Sequence, residues 1–145
     1  MPDARTLRVL FLTHSYPRVV GDAPGSFLLH LAVALRAEAV EVRVVAPSGE
    51  GLASSEVLEG IRVDRFHYAP RRYETLAYTG EMAQAVQRSW SARFALVGFL
   101  GGEFAAATRV RREFEPDLIH AHWWFPGGLV GSWVAGLGHV PLVTT

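Results

Sequence analysis

Two segments of this chain share one pattern, an apolar strand that runs into a loop and then into an apolar helix. The first segment reads FLTHSYPRVVGDAPGSFLLHLAVAL, and the second reads PDLIHAHWWFPGGLVGSWVAG. Apolar residues at successive strand positions indicate a strand covered on both faces, which is typical of a parallel sheet between helical layers. Both loops should therefore emerge at the carboxyl edge of one sheet, where open α/β sheets bind ligands. The pattern predicts that His14, Gly25, His120 and His122 lie close together.

The rest of the chain alternates strands and helices. The predicted strands are Leu7 to Thr13, Val40 to Ala46 before Pro47, a hairpin or bulged strand from Glu56 to Tyr68, Asp117 to Ala121 after Pro116, and Pro141 to Thr145. This order predicts an α/β fold, a Rossmann-like, mainly parallel, doubly wound sheet in three α/β/α layers. We expect residues 1–145 to form a single domain that is cut from a larger protein. The alternative is a small complete five-stranded domain.

The first helix is expected to begin at Ser26, whose side chain can cap it. Its apolar residues recur at helical spacing and comprise Phe27, Leu31, Ala34 and Leu35. A last helix is expected from Leu129 to Leu137.

A longer helical region precedes Pro116. Its apolar residues recur at steps of 4, 4, 4, 3 and 7, which predicts one stripe that faces the core. The stripe comprises Met82, Val86, Trp90, Phe94, Val97 and Phe104. Gly98, Gly101 and Gly102 are expected to break the region into two helices.

Composition excludes several classes of function. The 14 basic and 14 acidic side chains balance, which gives no general attraction to a phosphate backbone, so no nucleic-acid partner is expected. There is no Cys for a disulfide or a thiolate site. The apolar run FALVGFLGG is too short to span a membrane, and the first residues are too polar for a secretory signal. These features favour a cytoplasmic protein.

The loop GDAPGS, from Gly21 to Ser26, follows a strand and opens a helix. The amides and the dipole of such a helix start can face an anion, and Gly25 lets a ligand approach the backbone. The loop has neither the GxGxxG spacing of dinucleotide folds nor the GK[ST] ending of a P-loop. The alternative is that the glycine and Pro24 only shape a turn.

The segment HAHWW carries a second candidate site. His120 and His122 are two residues apart and share one face of a strand. We expect His122 to turn into the crevice and His120 to pack inside as a hydrogen-bonded residue. A zinc site would need a third ligand, for which His14 is the obvious choice, and without Cys or a nearby acidic residue no metal is expected.

Three aromatic residues follow the second histidine, namely Trp123, Trp124 and Phe125. They can plug the core. They can also offer a stacking surface for sugar rings or an apolar wall for a lipid tail.

Taken in order, these segments resemble the N-terminal domain of glycosyltransferase family 4, the retaining enzymes of the GT-B fold. The resemblance covers nearly the whole chain and rests on FLTHSYP, the glycine loop, FLLHLAVALRAEAVEVRVVAP, EGIRVDRFHYAPRRYETLAYTGE, PDLIHAHWWFPGG and VPLVTT. In such enzymes two Rossmann-like domains face each other across a cleft. The N-terminal domain chiefly binds the acceptor, and the C-terminal domain holds the nucleotide-sugar. Neither that second domain nor the His-Gly motif usual after the last of these strands is in this sequence.

The resemblance also implies roles for residues. It places His122 as the catalytic residue near the sugar, and Gly25, with Pro24 and Ser26, in the loop at the donor's phosphates and sugar. Pro24 departs from the family's common double glycine, which leaves the phosphate role of this loop open. The acceptor-side candidates are His14, Tyr16, Arg71, Arg72, Tyr73, Trp123 and Trp124. The alternative for the three residues from Arg71 is a solvated surface turn.

The resulting hypothesis is the acceptor-binding half of a retaining glycosyltransferase that moves a hexose from a nucleotide-sugar to an acceptor hydroxyl, inactive alone. Its partners would be the nucleotide-sugar, a sugar or lipid-linked acceptor and a C-terminal domain, without cofactor or metal. Peripheral membrane contact is not favoured, because the chain is neutral and the stripe from Met82 to Phe104 is expected in the core. The alternative is a non-enzymatic Rossmann-like module for a small phosphorylated ligand.

Overall fold

The computed structural model describes residues 5–70, 74, 77 and 82–145. Within these residues, six strands form one sheet in the order β3-β4-β2-β1-β5-β6. The strands are β1 (Leu7–Leu12), β2 (Val40–Pro47), β3 (Ser55–Leu58), β4 (Ile61–Phe66), β5 (Leu118–Ala121) and β6 (Leu142–Thr144). The helices are α1 (Ser26–Ala37), α2 (Met82–Arg88), α3 (Trp90–Phe114) and α4 (Leu129–Gly138), and an irregular helical turn, Trp124–Gly128, precedes α4.

The predicted α/β sheet is confirmed. β1 lies at its centre and pairs in parallel with β2 on one side and β5 on the other. β4 and β6 extend the sheet in parallel at either side, and only the hairpin strand β3 runs antiparallel. The chain thus moves outward from β1 to β4, then returns through α3 to build β5 and β6. Strand order reverses between β1 and β5, which is where doubly wound sheets form a ligand crevice.

The core has two parts, one on each face of the sheet, because alternate residues of a strand point to opposite sides. Leu10 and Ile119 belong to the part that packs under α3 and α4. Phe11 and Val63 belong to the part that packs under α1.

The helix α1 differs from its prediction at its start and in its buried face. Gly25, at φ 70°, is the cap residue, and Ser26 is the first helical residue rather than the cap. The buried residues are Leu28, Leu29 and Ala32, whereas Phe27 is 58% exposed. The left-handed turn at Gly25 starts the helix one residue earlier than predicted.

The long helical region breaks at a different place from the one predicted. Ser89, with an extended backbone, separates α2 from α3, and α3 continues through all three glycines. A Cβ at Gly98 would overlap the Tyr68 carbonyl oxygen, and one at Gly102 would lie 2.7 Å from that of His67. These glycines therefore let α3 approach the chain that leaves β4.

The prediction that the stripe faces the core is wrong for its central residues. Trp90, Phe94 and Val97 are 73%, 75% and 70% exposed. The face that packs on the sheet comprises Ala95, Phe99, Glu103, Ala106, Ala107, Val110 and Phe114. Close packing through small residues selects this face over the one with the larger side chains. In the described part of the chain, no helix is both long and apolar enough to cross a membrane.

Charged side chains also pair between the neighbouring strands β2 and β4. The Arg43 guanidinium donates to both carboxylate oxygens of Asp64, at 2.7 and 3.2 Å, and to Glu113 on α3 at 2.8 Å. The side chains of Arg43 and Asp64 are 8% and 2% exposed. The buried pair joins β2 to β4, and the contact of Arg43 with Glu113 ties α3 to the sheet.

Candidate active site

The two predicted loops meet above the reversal point of the sheet. The His122 backbone N–H donates to the Leu12 carbonyl at 2.9 Å, which joins the end of β5 to the end of β1. Residues 13–25, here called the site loop, connect β1 to α1. The crevice therefore lies between the site loop and the residues that follow β5.

His14 and Trp123 bring the two sides of the crevice into contact, with ring centroids 4.4 Å apart. Phe27, at the start of α1, meets the same indole edge-on at 6.0 Å. Trp123 has φ 67° and ψ 139°, a conformation that side-chain-bearing residues rarely adopt. Such strain persists only where the surrounding structure imposes it, and it is common at ligand sites.

His120 and His122 lie side by side on the α1 face of the sheet, with ring centroids 4.0 Å apart. The Thr145 hydroxyl bonds to His120 Nε2 at 3.1 Å and to His122 Nδ1 at 3.2 Å. The prediction that His120 packs inside and His122 turns into the crevice is wrong on burial. His122 is only 4% exposed, and His120 is half-buried. Phe11 of the central strand covers His122 edge-on at 4.6 Å.

The neutral form is favoured at His14, His120 and His122. Burial lowers the pKa of His14 and of His120. Burial, with a smaller contribution from the charge of His120, lowers the pKa of His122 to about 4. The Thr145 hydroxyl has one proton, so it donates to one imidazole and accepts from the other. The protonation of His122 Nε2 is thus coupled to the tautomer of His120.

Three polar atoms of the site are buried without a partner among the described residues, namely His14 Nδ1, the Tyr16 hydroxyl and His122 Nε2. Of these, His122 Nε2 belongs to the residue that follows β5. It is buried, and no hydrogen-bonding group among the described residues reaches it. An unsatisfied buried polar atom costs about 1–3 kcal/mol, so its persistence needs an explanation. A ligand hydroxyl that binds in the crevice would supply one.

Gly25 is fixed by its neighbours as well as by its dihedral angles. A Cβ there would overlap the Ser15 carbonyl oxygen and would lie 2.8 Å from the Tyr16 Cα. The Ser26 N–H donates to Ala23 and the Leu28 N–H to Gly25, so part of the helix start bonds within the chain. The backbone of the site loop itself therefore occupies the space that a side chain at Gly25 would fill. The half-buried Pro24 precedes it.

Side chains brace the site loop internally. The Thr13 hydroxyl donates to the Ser15 carbonyl at 2.8 Å. The Arg18 guanidinium donates to both carboxylate oxygens of Asp22, at 2.7 and 3.1 Å. This pairing lowers the pKa of Asp22 to about 2.

Arg65 of β4 also holds the site loop in place. It was not among the residues predicted from the sequence. Its side chain is fully buried and pairs with Glu56 at 2.8 Å. It also donates to the Pro17 carbonyl at 2.5 Å. A signal was available, because Ile61, Val63 and Arg65 alternate along one face of the strand, and a charged residue at an inward position needs buried partners.

The other predicted residues fall into three groups. Tyr16 is fully buried in the core under α1, rather than open to the crevice. Trp124 is 79% exposed beside the crevice. Arg71, Arg72 and Tyr73 lie outside the described residues. Nowhere in residues 5–70, 74, 77 and 82–145 do three His, Cys, Asp or Glu side chains group as metal ligands.

Residues 23–145 match the family described as glycosyl transferase 4-like domain. The chain belongs to this family. It is similar to the glycogen synthases of two Mycobacterium tuberculosis strains, CDC 1551 / Oshkosh and ATCC 25618 / H37Rv, each 30% identical over 149 residues. That alignment covers 96% of the chain and 33% of each relative. The glycosyl transferase 4-like chain thus spans about a third of the length of these relatives.

Solved structures show the same fold for this glycosyl transferase 4-like domain. Sucrose-phosphate synthase from Thermosynechococcus elongatus matches with a TM-score of 0.63 at 13% identity, over 95% of the chain and 32% of that structure. The glycosyltransferase SsfS6 from Streptomyces sp. SF2575 matches with a TM-score of 0.58 at 16% identity, over 95% and 38%. The sheet is therefore the Rossmann-like N-terminal half of a GT-B fold, as the sequence predicted.

Proposed function

We propose that this domain is the acceptor-binding half of a retaining glycosyltransferase, which moves a hexose from a nucleotide-sugar to an acceptor hydroxyl. The observation that carries the proposal is the unpartnered Nε2 of His122, buried at the strand-order reversal of a glycosyl transferase 4-like domain. In the reaction, the bond from the hexose C1 to the donor phosphate breaks, and a bond from C1 to the acceptor oxygen forms. The acceptor hydroxyl passes its proton to the departing phosphate oxygen, and a nucleoside diphosphate leaves.

We assign His122 to the transferred hexose. Its pKa of about 4 keeps the imidazole neutral at pH 7, so Nε2 can bond to a sugar hydroxyl without introducing a charge. The atom is buried in the structure, so the assignment requires the residues that cover it to move as the sugar enters. We place that movement at the strained backbone of Trp123, the next residue in the chain.

We assign the start of α1, with Pro24, Gly25 and Ser26, to the donor's phosphates. A helix start favours negative charge, and the leaving diphosphate needs stabilisation as its bond to C1 breaks. The backbone N–H groups of Ser26 and Leu28 already donate within the chain. The helix start can therefore offer a phosphate its dipole and its few remaining N–H groups.

The acceptor is assigned to the aromatic side of the crevice. The rings of His14 and Trp123 are in contact there, and Phe27 meets Trp123 edge-on. The site loop also exposes Val19 and Val20, and Trp124 is exposed next to Trp123 in the chain. Aromatic faces bind the apolar faces of sugar rings. Arg71, Arg72 and Tyr73 remain acceptor-side proposals, and Tyr16 supports the site loop from the core.

The proposal places most donor contacts in a C-terminal domain of the full-length protein, so the 145-residue chain is inactive alone. It needs no cofactor or metal, and it locates the reaction in the cytoplasm. The competing proposal, a non-enzymatic module for a small phosphorylated ligand, has less support because the chain belongs to a glycosyltransferase family.

The test is a transfer assay with the full-length protein and a panel of nucleotide-hexoses, with glucose donors first because the named relatives are glycogen and sucrose-phosphate synthases. Release of nucleoside diphosphate that depends on an added acceptor would support the proposal. Proton NMR of the product should show the donor's anomeric configuration retained. Donor binding without transfer to any acceptor would favour the binding module, and an inverted product would contradict the retaining mechanism.

A further inference from the structure

Arg65, on β4, connects three separate parts of the chain, one of which is the site loop. Its Nε donates to Glu56 on β3 at 2.8 Å, its Nη1 to the Pro47 carbonyl at the end of β2 at 3.4 Å, and its Nη2 to the Pro17 carbonyl at 2.5 Å. The whole side chain is removed from solvent. A buried guanidinium is costly to desolvate, and its planar set of five donors can hold several acceptors in one geometry.

The Pro17 contact leads directly to the proposed donor site. Pro17 follows Ser15 and Tyr16, the two residues whose backbone fills the space beside the Gly25 Cα. The Gly25 carbonyl in turn accepts from Leu28 N–H in the first turn of α1 at 2.9 Å. A displacement of Pro17 would hence be transmitted through two packed backbone contacts to the start of α1.

The same backbone segment carries His14. Its ring contacts that of Trp123, so the position of the segment also sets the aromatic side of the crevice. The Thr13 N–H donates to Val45 of β2 at 3.2 Å, which fixes the segment where it leaves β1. Arg65 fixes it four residues later, and His14, Ser15 and Tyr16 lie between these two attachment points.

We propose that Arg65 is a positioning residue for glycosyl transfer: through the Pro17 carbonyl it holds the site loop so that His14 and the Gly25 turn keep their places in the crevice. The assignment rests on the proposed function. Arg65 contacts the loop and not the substrate. Lysine cannot replace it, because a single ammonium group cannot span Glu56, Pro47 and Pro17 as the planar guanidinium does.

The experiment compares three variants of the full-length protein by hydrogen–deuterium exchange and by steady-state kinetics. Arg65→Lys keeps the charge but loses the bridge. Glu56→Gln removes the ion pair but leaves both carbonyl contacts of Arg65. Arg62→Lys is the matched control, because Arg62 lies on the same strand with a side chain that is 53% exposed.

In Arg65→Lys, we expect the site-loop amides to exchange about tenfold faster or more, while those of β5 and α4 exchange as in the wild type. We expect kcat to fall roughly tenfold or more, with the acceptor KM within about threefold. Glu56→Gln should accelerate exchange only in β3. Arg62→Lys should accelerate it in neither β3 nor the site loop. Both controls should retain kcat.

Two results would overturn the assignment. One is a folded Arg65→Lys protein whose site loop exchanges as in the wild type, and the other is a loop loosened in Glu56→Gln as much as in Arg65→Lys. If Arg65→Lys does not fold, Arg65→Gln replaces it with the same expectations, because its single amide cannot bridge Glu56, Pro47 and Pro17 either. Exchange needs no substrate, so a loosened loop in a protein without transferase activity would refute the proposed function and not the role of Arg65 in holding the loop.

Discussion

The ring of His14 contacts that of Trp123, with centroids 4.4 Å apart and planes tilted by 56°, although 109 positions separate the two residues in the chain. One residue follows β1 and the other follows β5, the two strands between which the strand order reverses. The contact joins the two loops into a single crevice. It also explains why the residues that follow these strands, rather than the strands themselves, carry the proposed chemistry.

Gly25→Ala should destabilise the protein by about 3 kcal/mol or more. The left-handed backbone alone costs an alanine about 1–2 kcal/mol, and the new Cβ would also overlap the Ser15 carbonyl oxygen. Urea unfolding monitored by circular dichroism measures the change in the free energy of unfolding.

Gly21→Ala is the control for that measurement. Gly21 has φ 89° in the same loop, but no heavy atom lies within 4 Å of the position that an added Cβ would take. It should show the backbone cost alone, about 1–2 kcal/mol. Equal losses at the two glycines would contradict the close packing of Gly25 against Ser15 and Tyr16.

Acid should destabilise the folded state through His122. The pKa of His122 is about 4 in the folded protein and 6.5 ordinarily, so the unfolded chain binds more protons between these values. This contribution to stability is complete above pH 6.5 and is lost as the pH falls towards 4. Between pH 7 and pH 4.5 the loss should amount to about 2 kcal/mol. His122→Asn should reduce the loss between pH 7 and pH 4.5 by that amount, and an identical loss in both proteins would refute the assignment.

Glu103 should have the opposite dependence on pH. It is fully buried on α3, neither carboxylate oxygen has a partner among the described residues, and burial raises its pKa to about 8. The folded state then holds a proton that the unfolded chain releases, so stability falls as the pH rises from 4.5 to 8. Glu103→Gln should be more stable than the wild type at pH 8.5 by about 2–4 kcal/mol. The two proteins should be similar at pH 4.5, and a pH-independent difference would contradict this account.

Strand positions were predictable because a strand covered on both faces has a continuous apolar run. β1 was expected at Leu7 to Thr13 and ends at Leu12, one residue earlier. The meeting of the two loops was also predictable, since parallel strands present their carboxyl ends at one edge. Both results follow from local pattern and sheet geometry alone.

The face on which α3 packs could not be predicted from hydropathy. Gly98 and Gly102 allow backbone approach to Tyr68 and His67, and this close contact leaves Phe94 exposed. The burial of His122 depends on Phe11 of the neighbouring strand, a contact that exists only once β1 and β5 pair. The proposed roles of His122, Gly25 and the acceptor-side residues stay predictions.

The most direct test of the crevice as the transfer site compares His122→Asn with Arg43→Met in the full-length protein. Arg43 lies away from the crevice, and its loss leaves the buried Asp64 carboxylate without its bidentate partner, at a cost of about 3–5 kcal/mol. The account predicts that His122→Asn lowers kcat roughly a hundredfold or more with a smaller loss of stability. Arg43→Met should retain kcat per folded molecule. A His122→Asn enzyme with wild-type kcat, or one whose activity loss matches its unfolded fraction, would contradict it.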